Sequence, residues 1–185
     1  MSWVGFFPGF VFWLKDRQEL PMGVVMIANV ETLVNSAVTT VFDTMLGLPM
    51  KDAPVEACVF GDAPQIASAV GFAGSASGVI YLYTTVRFAG RITGGLLGLP
   101  EAEAQREDYV NDAMGEMANM VMGHVKSRLT DRGVKCVMTI PSIVRGSGLG
   151  IEAVSHTRVQ RMGFRSGDDF VLVEVLIENS DGKGK

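Results

Sequence analysis

Four residues near the middle of the chain place polar groups on one face of a predicted helix. Asp112, Glu116, Asn119 and Gly123 are spaced four, three and four residues apart. Residues at these spacings are neighbours on a helix surface, so the four form one narrow row, which we call the polar stripe. The stripe holds a carboxylate and a carboxamide side by side on a rigid scaffold. Such a pair can form an ion pair and hydrogen bonds with a bound partner.

The helix that must position the stripe is predicted from the apolar periodicity of residues Glu103 to Leu129. This segment lacks proline and repeats apolar residues with the 3.6-residue period of an amphipathic helix. The apolar residues lie on nearly the opposite side from the stripe: Val110, Met114, Met117, Val121 and Val125. We therefore expect the stripe to face away from the protein core.

A polar helix face is most often only solvated, and Glu-x-x-Asn alone is a weak pattern. Two features favour a function here. Asparagine is unfavourable within a helix because its side chain competes for backbone hydrogen bonds. The surrounding residues are also small, namely Ala113, Gly115, Ala118 and Gly123. Glycine within a helix costs about 1 kcal/mol relative to alanine, and close approach of a partner's backbone would give Gly123 a use.

Composition restricts the classes of function. The 185 residues suit one domain, and 48% hydrophobic with 19% charged residues is typical of a globular protein. The formal net charge is −4 without a cluster of Lys or Arg, so nucleic acid is not an expected partner. An acidic chain also fits poorly with a free phosphate ester. A phosphate carried within a protein partner avoids that difficulty.

The sequence predicts neither a metal site nor a nucleophile with a neighbouring base. Two cysteines, Cys58 and Cys136, lie in apolar segments and are expected to be buried and reduced. His124 is offset from the polar stripe and is expected to be solvated or to pack between helices. No Asp, Glu or His cluster has metal-ligand spacing.

The remaining elements are predicted from periodicity and turn residues. A helix over Asn29–Leu48, capped by Asn29, would bury Leu33, Ala37, Val41 and Met45. Further elements are a strand at Val55–Phe60, a hairpin over Ile66–Thr85 with its turn at Gly74–Gly78, a helix at Val86–Leu97, and strands at Val134–Val144, Ser155–Phe164 and Asp169–Glu178. Pro141 within a strand indicates an edge or a bulge. The fold class is therefore α+β, with two to three helices packed on an antiparallel-rich β-sheet.

The domain is expected to span residues 29–178, followed by a polar tail at 179–185. Residues 1–28 form an apolar extension whose 12-residue run from Trp3 to Leu14 is shorter than the roughly 20 residues that span a bilayer. This extension can lie on a membrane surface, pack on the domain, or precede a true start at Met22 or Met26. We favour the last alternative and expect no transmembrane segment.

The combined pattern resembles the CheX/CheC/FliY family of chemotaxis phosphatases. The resemblance rests on Asp-x-x-x-Glu-x-x-Asn-x-x-x-Gly in a long helix, with a proline about 20 residues later in a strand. Thr139–Gly146 resembles the strand that follows the active helix, Val34–Gly47 the first helix, and Phe88–Gly98 the middle helix. The resemblance extends from about Asn29 to Glu178 and implies a CheX-like fold.

The resemblance also implies a function. The chain would hydrolyse the aspartyl phosphate of a phosphorylated CheY-like response regulator in the cytoplasm. Asn119 would hold the attacking water and Glu116 would pair with a lysine of the regulator, while Asp112, Gly115 and Gly123 would contact the partner. The regulator would supply the phosphorylated aspartate and its Mg²⁺, so the chain itself would need no cofactor.

The chain contains one such motif, because Glu31 and Asn35 of the first helix are four residues apart instead of three. This departs from the two-motif CheC pattern and favours the one-motif, homodimeric CheX type. An alternative function is a non-catalytic CheX-like docking module that binds a response regulator or a flagellar switch component. A third interpretation is a structural domain whose stripe is merely solvated. The presence of both Glu116 and Asn119 favours catalysis.

Overall fold

A computed structural model of the chain describes residues 22–152 and 157–178. Most of the predicted N-terminal extension, the start of the predicted strand at Ser155 and the polar tail lie outside these described residues. The helices are α1 (Met22–Leu46), α2 (Val86–Leu97), α3 (Glu101–Ala104) and α4 (Glu107–Thr130). The strands are β1 (Lys51–Ala53), β2 (Gln65–Gly74), β3 (Gly78–Thr85), β4 (Cys136–Met138), β5 (Ser142–Gly146), β6 (Thr157–Ser166) and β7 (Asp169–Glu178).

The seven strands form one sheet in the order β1-β6-β7-β3-β2-β4, and β5 also pairs with β2. Every pairing is antiparallel. Alternate residues of β2, namely Ile66, Val70 and Phe72, join the core that α1, α2 and α4 complete. The predicted α+β fold with helices on an antiparallel sheet is confirmed.

Several predicted elements are confirmed along with the fold class. The hairpin over Ile66–Thr85 corresponds to β2 and β3, which are paired from Gln65 with Thr85 to Phe72 with Gly78. The predicted helix at Val86–Leu97 and the predicted strand at Asp169–Glu178 have the observed bounds of α2 and β7. The Gly74–Gly78 segment is a plain turn between these two strands.

Two helix boundaries were predicted wrongly. Helix α1 begins at Met22, so Asn29 lies within the helix and is not its cap. Met45, predicted to be buried, is 48% exposed. Steps of four residues drift around a helix of 3.6 residues per turn, and in the last turn Phe42 and Leu46 face the core instead. Helix α4 begins at Glu107 and not at Glu103, because residues 105 and 106 are not helical and separate it from α3. At this break the Gln105 carboxamide fills the space above Gly90, where a Cβ atom would overlap it.

Two strand predictions were also wrong. Val55–Ala57 is a short 3₁₀ helix and not a strand. Pro54 starts it, since its carbonyl accepts a hydrogen bond from Ala57 N at 2.9 Å. The single strand predicted at Val134–Val144 is two strands, β4 and β5, separated by residues 139–141. Pro141 lacks the amide hydrogen needed to continue the ladder.

Candidate functional site

Helix α4 presents the polar stripe because its other faces are buried. Its apolar residues are at most 1% exposed and pack into the core: Val110, Met114, Met117, Val121 and Val125. The helix contacts α1, α2 and β2, so it is held on several sides. The predicted outward orientation of the stripe is confirmed, and the helix that carries it is packed into the core.

The first turn of α4 carries charges that suit a helix start. Glu107 and Asp108 occupy its first turn, where negative charge complements the helix dipole. Arg106 pairs with Asp108 at 2.6 Å and lies over the ring of Tyr109, 4.2 Å from its centroid. The hydrogen bond from Arg106 lowers the pKa of Asp108. These exposed contacts favour a helix that begins at Glu107.

The polar members of the stripe are available to a partner. Asp112 and Glu116 are exposed, and Asn119 is half-buried. Within residues 22–152 and 157–178, the side chains of these three residues form no hydrogen bond or ion pair. A carboxylate and a carboxamide one turn apart, with neither occupied by this chain, can therefore engage an approaching molecule without breaking an internal contact.

The two glycines near the stripe have different surroundings. Gly123 is half-buried, and a Cβ atom placed there would meet no atom within 4 Å. Open space therefore lies over the helix one turn beyond Asn119. Gly115 is buried, and a Cβ there would lie 3.5 Å from Cβ of Pro141. Any effect of Gly115 on partner binding is therefore indirect, through the position of Pro141.

Residues 139–141 form a bulge beside α4. Phe72 and Ala69 of β2 pair with Met138 and Ser142, so two β2 residues face the three residues in between. Thr139 anchors the bulge, because its amide donates to Gly71 O at 2.9 Å and its Oγ1 accepts from Gly71 N at 2.9 Å. The prediction that Pro141 marks an edge or a bulge is confirmed.

A second link between α4 and the sheet was not predicted from the sequence. Arg145 on β5 donates from Nε to Oδ1 of Asn111 at 2.8 Å, and from a terminal guanidinium nitrogen to Glu107 O at 3.3 Å. Glu107 Oε1 lies 4.0 Å from Arg145 Nε. These contacts join the first turns of α4 to the edge of the sheet, which holds the stripe at a fixed position relative to the bulge.

Two other polar residues noted in the sequence, His124 and Asn35, form contacts within the chain. His124 lies between helices, with Nε2 at 3.5 Å from Oγ of Ser36 on α1. Asn35 donates to Oδ2 of Asp52 at 2.8 Å, so it is occupied within the chain. Glu31 is exposed. The first helix therefore does not repeat the unoccupied carboxylate–carboxamide pair of α4.

The described residues provide no group of three or more His, Cys, Asp or Glu side chains that could hold a metal ion. Cys58 and Cys136 are both free and buried, as predicted, and burial raises the pKa of each thiol. Among the described helices, none is long and apolar enough to cross a membrane.

Comparison with known proteins agrees with this fold. The family model for the chemotaxis phosphatase CheX matches residues 66–164, which contain α4 and the bulge. No curated protein sequence matches the chain. Because the family model covers more than half of the chain, the chain belongs to the CheX family.

Solved structures of similar fold include chemotaxis protein CheX from Vibrio vulnificus, with a TM-score of 0.68 and 23% identity over 80% of this chain and 95% of that chain. CheX from Desulfovibrio desulfuricans has a TM-score of 0.67 and 22% identity, covering 81% and 99%. The CheX–CheY–BeF₃–Mg²⁺ complex from Borrelia burgdorferi has a TM-score of 0.64 and 19% identity, covering 81% and 97%. These likenesses confirm the CheX-like fold.

Proposed function

We propose that this protein is a phosphatase that hydrolyses the aspartyl phosphate of a CheY-like response regulator and so ends a chemotaxis or other two-component signal. One observation carries the proposal. Glu116 and Asn119 stand one turn apart on a rigid helix, exposed and half-buried respectively, and neither side chain is occupied within the described residues. Membership of the CheX family supports the same activity.

The chemistry requires little from the phosphatase. An aspartyl phosphate is already an activated acyl phosphate, so its hydrolysis depends mainly on a correctly placed water and on charge stabilisation. The Asn119 carboxamide has a donor and an acceptor, so it can hold a water in line with the phosphorus atom. A nucleophile on this chain is therefore not needed.

Glu116 fixes the position of the regulator on α4. Its carboxylate accepts hydrogen bonds from a lysine of the regulator's active site, and a charge-assisted bond of this kind is directional and strong once water is excluded. Asp112 lies one turn before Glu116 and is exposed, so it makes a peripheral contact or guides approach. The open space over Gly123 lets the regulator's backbone approach the helix closely.

The divalent cation belongs to the regulator in this proposal. A solved structure of related proteins contains CheX with CheY, BeF₃ and Mg²⁺. Mg²⁺ bound beside the phosphorylated aspartate neutralises charge on the phosphoryl oxygens. This chain then contributes only Asn119 and Glu116 to the assembled site and requires no cofactor of its own.

We also propose that the protein is a cytoplasmic homodimer joined through sheet edges. In the described residues, β1 and the β4–β5 pair are the outermost strands of the sheet. Val137 and Val144 on the β4–β5 edge are 68% and 50% exposed. Pairing with a second copy would cover an edge that otherwise favours aggregation.

The test is to mix the protein with a panel of response regulators labelled with radioactive phosphate, and to follow loss of the label. Catalysis predicts that substoichiometric protein accelerates loss from at least one regulator over its spontaneous rate. The docking-module alternative predicts binding, with a rate of phosphate loss that is unchanged or lower. Binding without acceleration across the panel would contradict the proposed function.

A further inference from the structure

A large apolar side chain is exposed on the bulge at residues 139–141, which lies beside α4. Ile140 is 86% exposed, which is the highest value among the exposed large hydrophobic side chains of the described residues. The others are Val59 at 70%, Val137 at 68%, Val144 at 50%, Leu97 at 49% and Met45 at 48%. An isolated exposed isoleucine is common on protein surfaces, so exposure by itself does not indicate a function.

The backbone that carries Ile140 is rigid, which distinguishes it from a residue in a loose loop. Thr139 on one side exchanges two hydrogen bonds of 2.9 Å with the backbone of Gly71. Pro141 on the other side has a fixed φ and packs over Gly115. Ile140 is therefore held outward between two anchored neighbours, and little conformational entropy of the backbone is lost when it becomes buried in a complex.

Ile140 directly precedes Pro141, which packs against the helix that carries the polar stripe. Pro141 contacts α4 at Gly115, the residue directly before Glu116. Any macromolecule that covers Glu116 and Asn119 must therefore come close to the bulge. Arg145 on β5, which follows the bulge, also donates to Asn111 on α4, so the bulge lies between two contacts that join the sheet edge to this helix.

We propose that Ile140 is a docking and specificity residue for the response regulator. It inserts into an apolar depression next to the phosphorylated aspartate while Glu116 and Asn119 engage the active site. The polar stripe and Ile140 together then match the usual composition of an interface, with an apolar centre beside charged groups. This inference rests on the proposed function and identifies a surface outside α4 that selects the regulator.

A second copy of this chain is a less suitable occupant. Edge-to-edge pairing of strands requires a continuous row of backbone donors and acceptors. The bulge at residues 139–141 interrupts that row, and Pro141 has no amide hydrogen to offer. Val137 and Val144 lie in regular strands on either side and suit such pairing better, so Ile140 is assigned to the regulator.

The test compares Ile140→Ser with the matched variant Val59→Ser, which removes an exposed apolar side chain that lies neither on the β4–β5 edge nor on α4. Ile140→Leu serves as the conservative variant. For each, kcat and KM for a phosphorylated regulator are measured, together with the Kd for the beryllofluoride-activated regulator and the mass by light scattering. Because the side chain of Ile140 is mostly solvated, Ile140→Ser should keep the melting temperature of the unaltered protein.

We expect Ile140→Ser to raise KM and Kd by about tenfold, the scale of losing one well-buried aliphatic side chain, with kcat nearly unchanged. Ile140→Leu and Val59→Ser should stay within about twofold. An unchanged KM and Kd for Ile140→Ser would overturn the inference. A halved mass that accompanies the weaker binding would overturn it too, because it would assign Ile140 to a second copy.

Failure of the proposed function gives a separate result. If the unaltered protein binds the activated regulator but does not accelerate phosphate loss, catalysis is wrong, and the Kd values alone decide the role of Ile140. If the unaltered protein binds none of the regulators, both the proposed function and the docking role of Ile140 are wrong.

Discussion

Replacing Gly123 with alanine should make the protein more stable and less active. A glycine within a helix costs about 1 kcal/mol relative to alanine. A Cβ at position 123 would meet no atom within 4 Å, so no clash offsets this gain. We therefore expect the free energy of unfolding to rise by about 0.5–1 kcal/mol, and the melting temperature by about 2–4 °C for each kcal/mol gained in a domain of this size.

The same methyl group should obstruct the regulator. Gly123 lies one turn beyond Asn119 on the polar stripe, where the proposed complex requires close approach. A displacement of about 1 Å at a reacting centre can reduce a rate by about a hundredfold. We expect at least a tenfold fall in kcat/KM for phosphate loss, measured with a labelled regulator, beside a thermal melt of the same sample.

The control for Gly123→Ala is Ser127→Ala. Ser127 is exposed four residues further along α4, and this change also raises helix propensity but adds no atom. It should leave activity within about twofold. Full activity in Gly123→Ala would show that no partner approaches the helix there. A lower melting temperature would show that the space above Gly123 is not open.

Three further predictions concern the rest of the molecule. Tyr83→Phe should lower stability by about 1–3 kcal/mol without changing activity, because it removes the 2.8 Å hydrogen bond to the buried Glu174 carboxylate. Burial raises the pKa of Tyr83 above its usual value, so this stabilisation is present below about pH 10 and is lost as the pH rises further. The difference in melting temperature between Tyr83→Phe and the unaltered protein should therefore shrink in alkaline melts. A chain starting at Met22, where α1 begins, should stay folded and active, and a loss of more than about 2 kcal/mol would place the preceding segment in the domain. Light scattering at tens of micromolar should give a dimer mass, and a monomer mass would contradict pairing through sheet edges.

The elements that were predicted correctly are those with strong local patterns. The hairpin of β2 and β3 has a glycine-rich turn between two apolar strands, and α2 has a Thr85 cap whose side chain accepts from Phe88 N. One error, the missed break before α4, lies at a contact between residues that are distant in the sequence. The break before α4 places the Gln105 carboxamide over Gly90, and no local pattern around Gln105 indicates that contact.

The candidate site, too, could be predicted only in part. The helical spacing of Asp112, Glu116 and Asn119 was enough to predict an exposed row, because side-chain direction on a helix follows directly from residue number. The contact of Pro141 with Gly115 and the exposure of Ile140 depend on how the bulge pairs with β2. The sequence indicated only that Pro141 would disturb a strand.

The central claim is that Asn119 places the attacking water while Glu116 secures the regulator. The most direct measurement is single-turnover phosphate loss from a labelled regulator, with a binding titration, for Asn119→Ala and Glu116→Ala. Asn119→Ala should slow hydrolysis by about two orders of magnitude or more with nearly unchanged binding. Glu116→Ala should weaken binding by about 2–5 kcal/mol if its partner is buried in the complex. Both should keep the melting temperature, since neither side chain belongs to the core. Full activity in Asn119→Ala would contradict the mechanism.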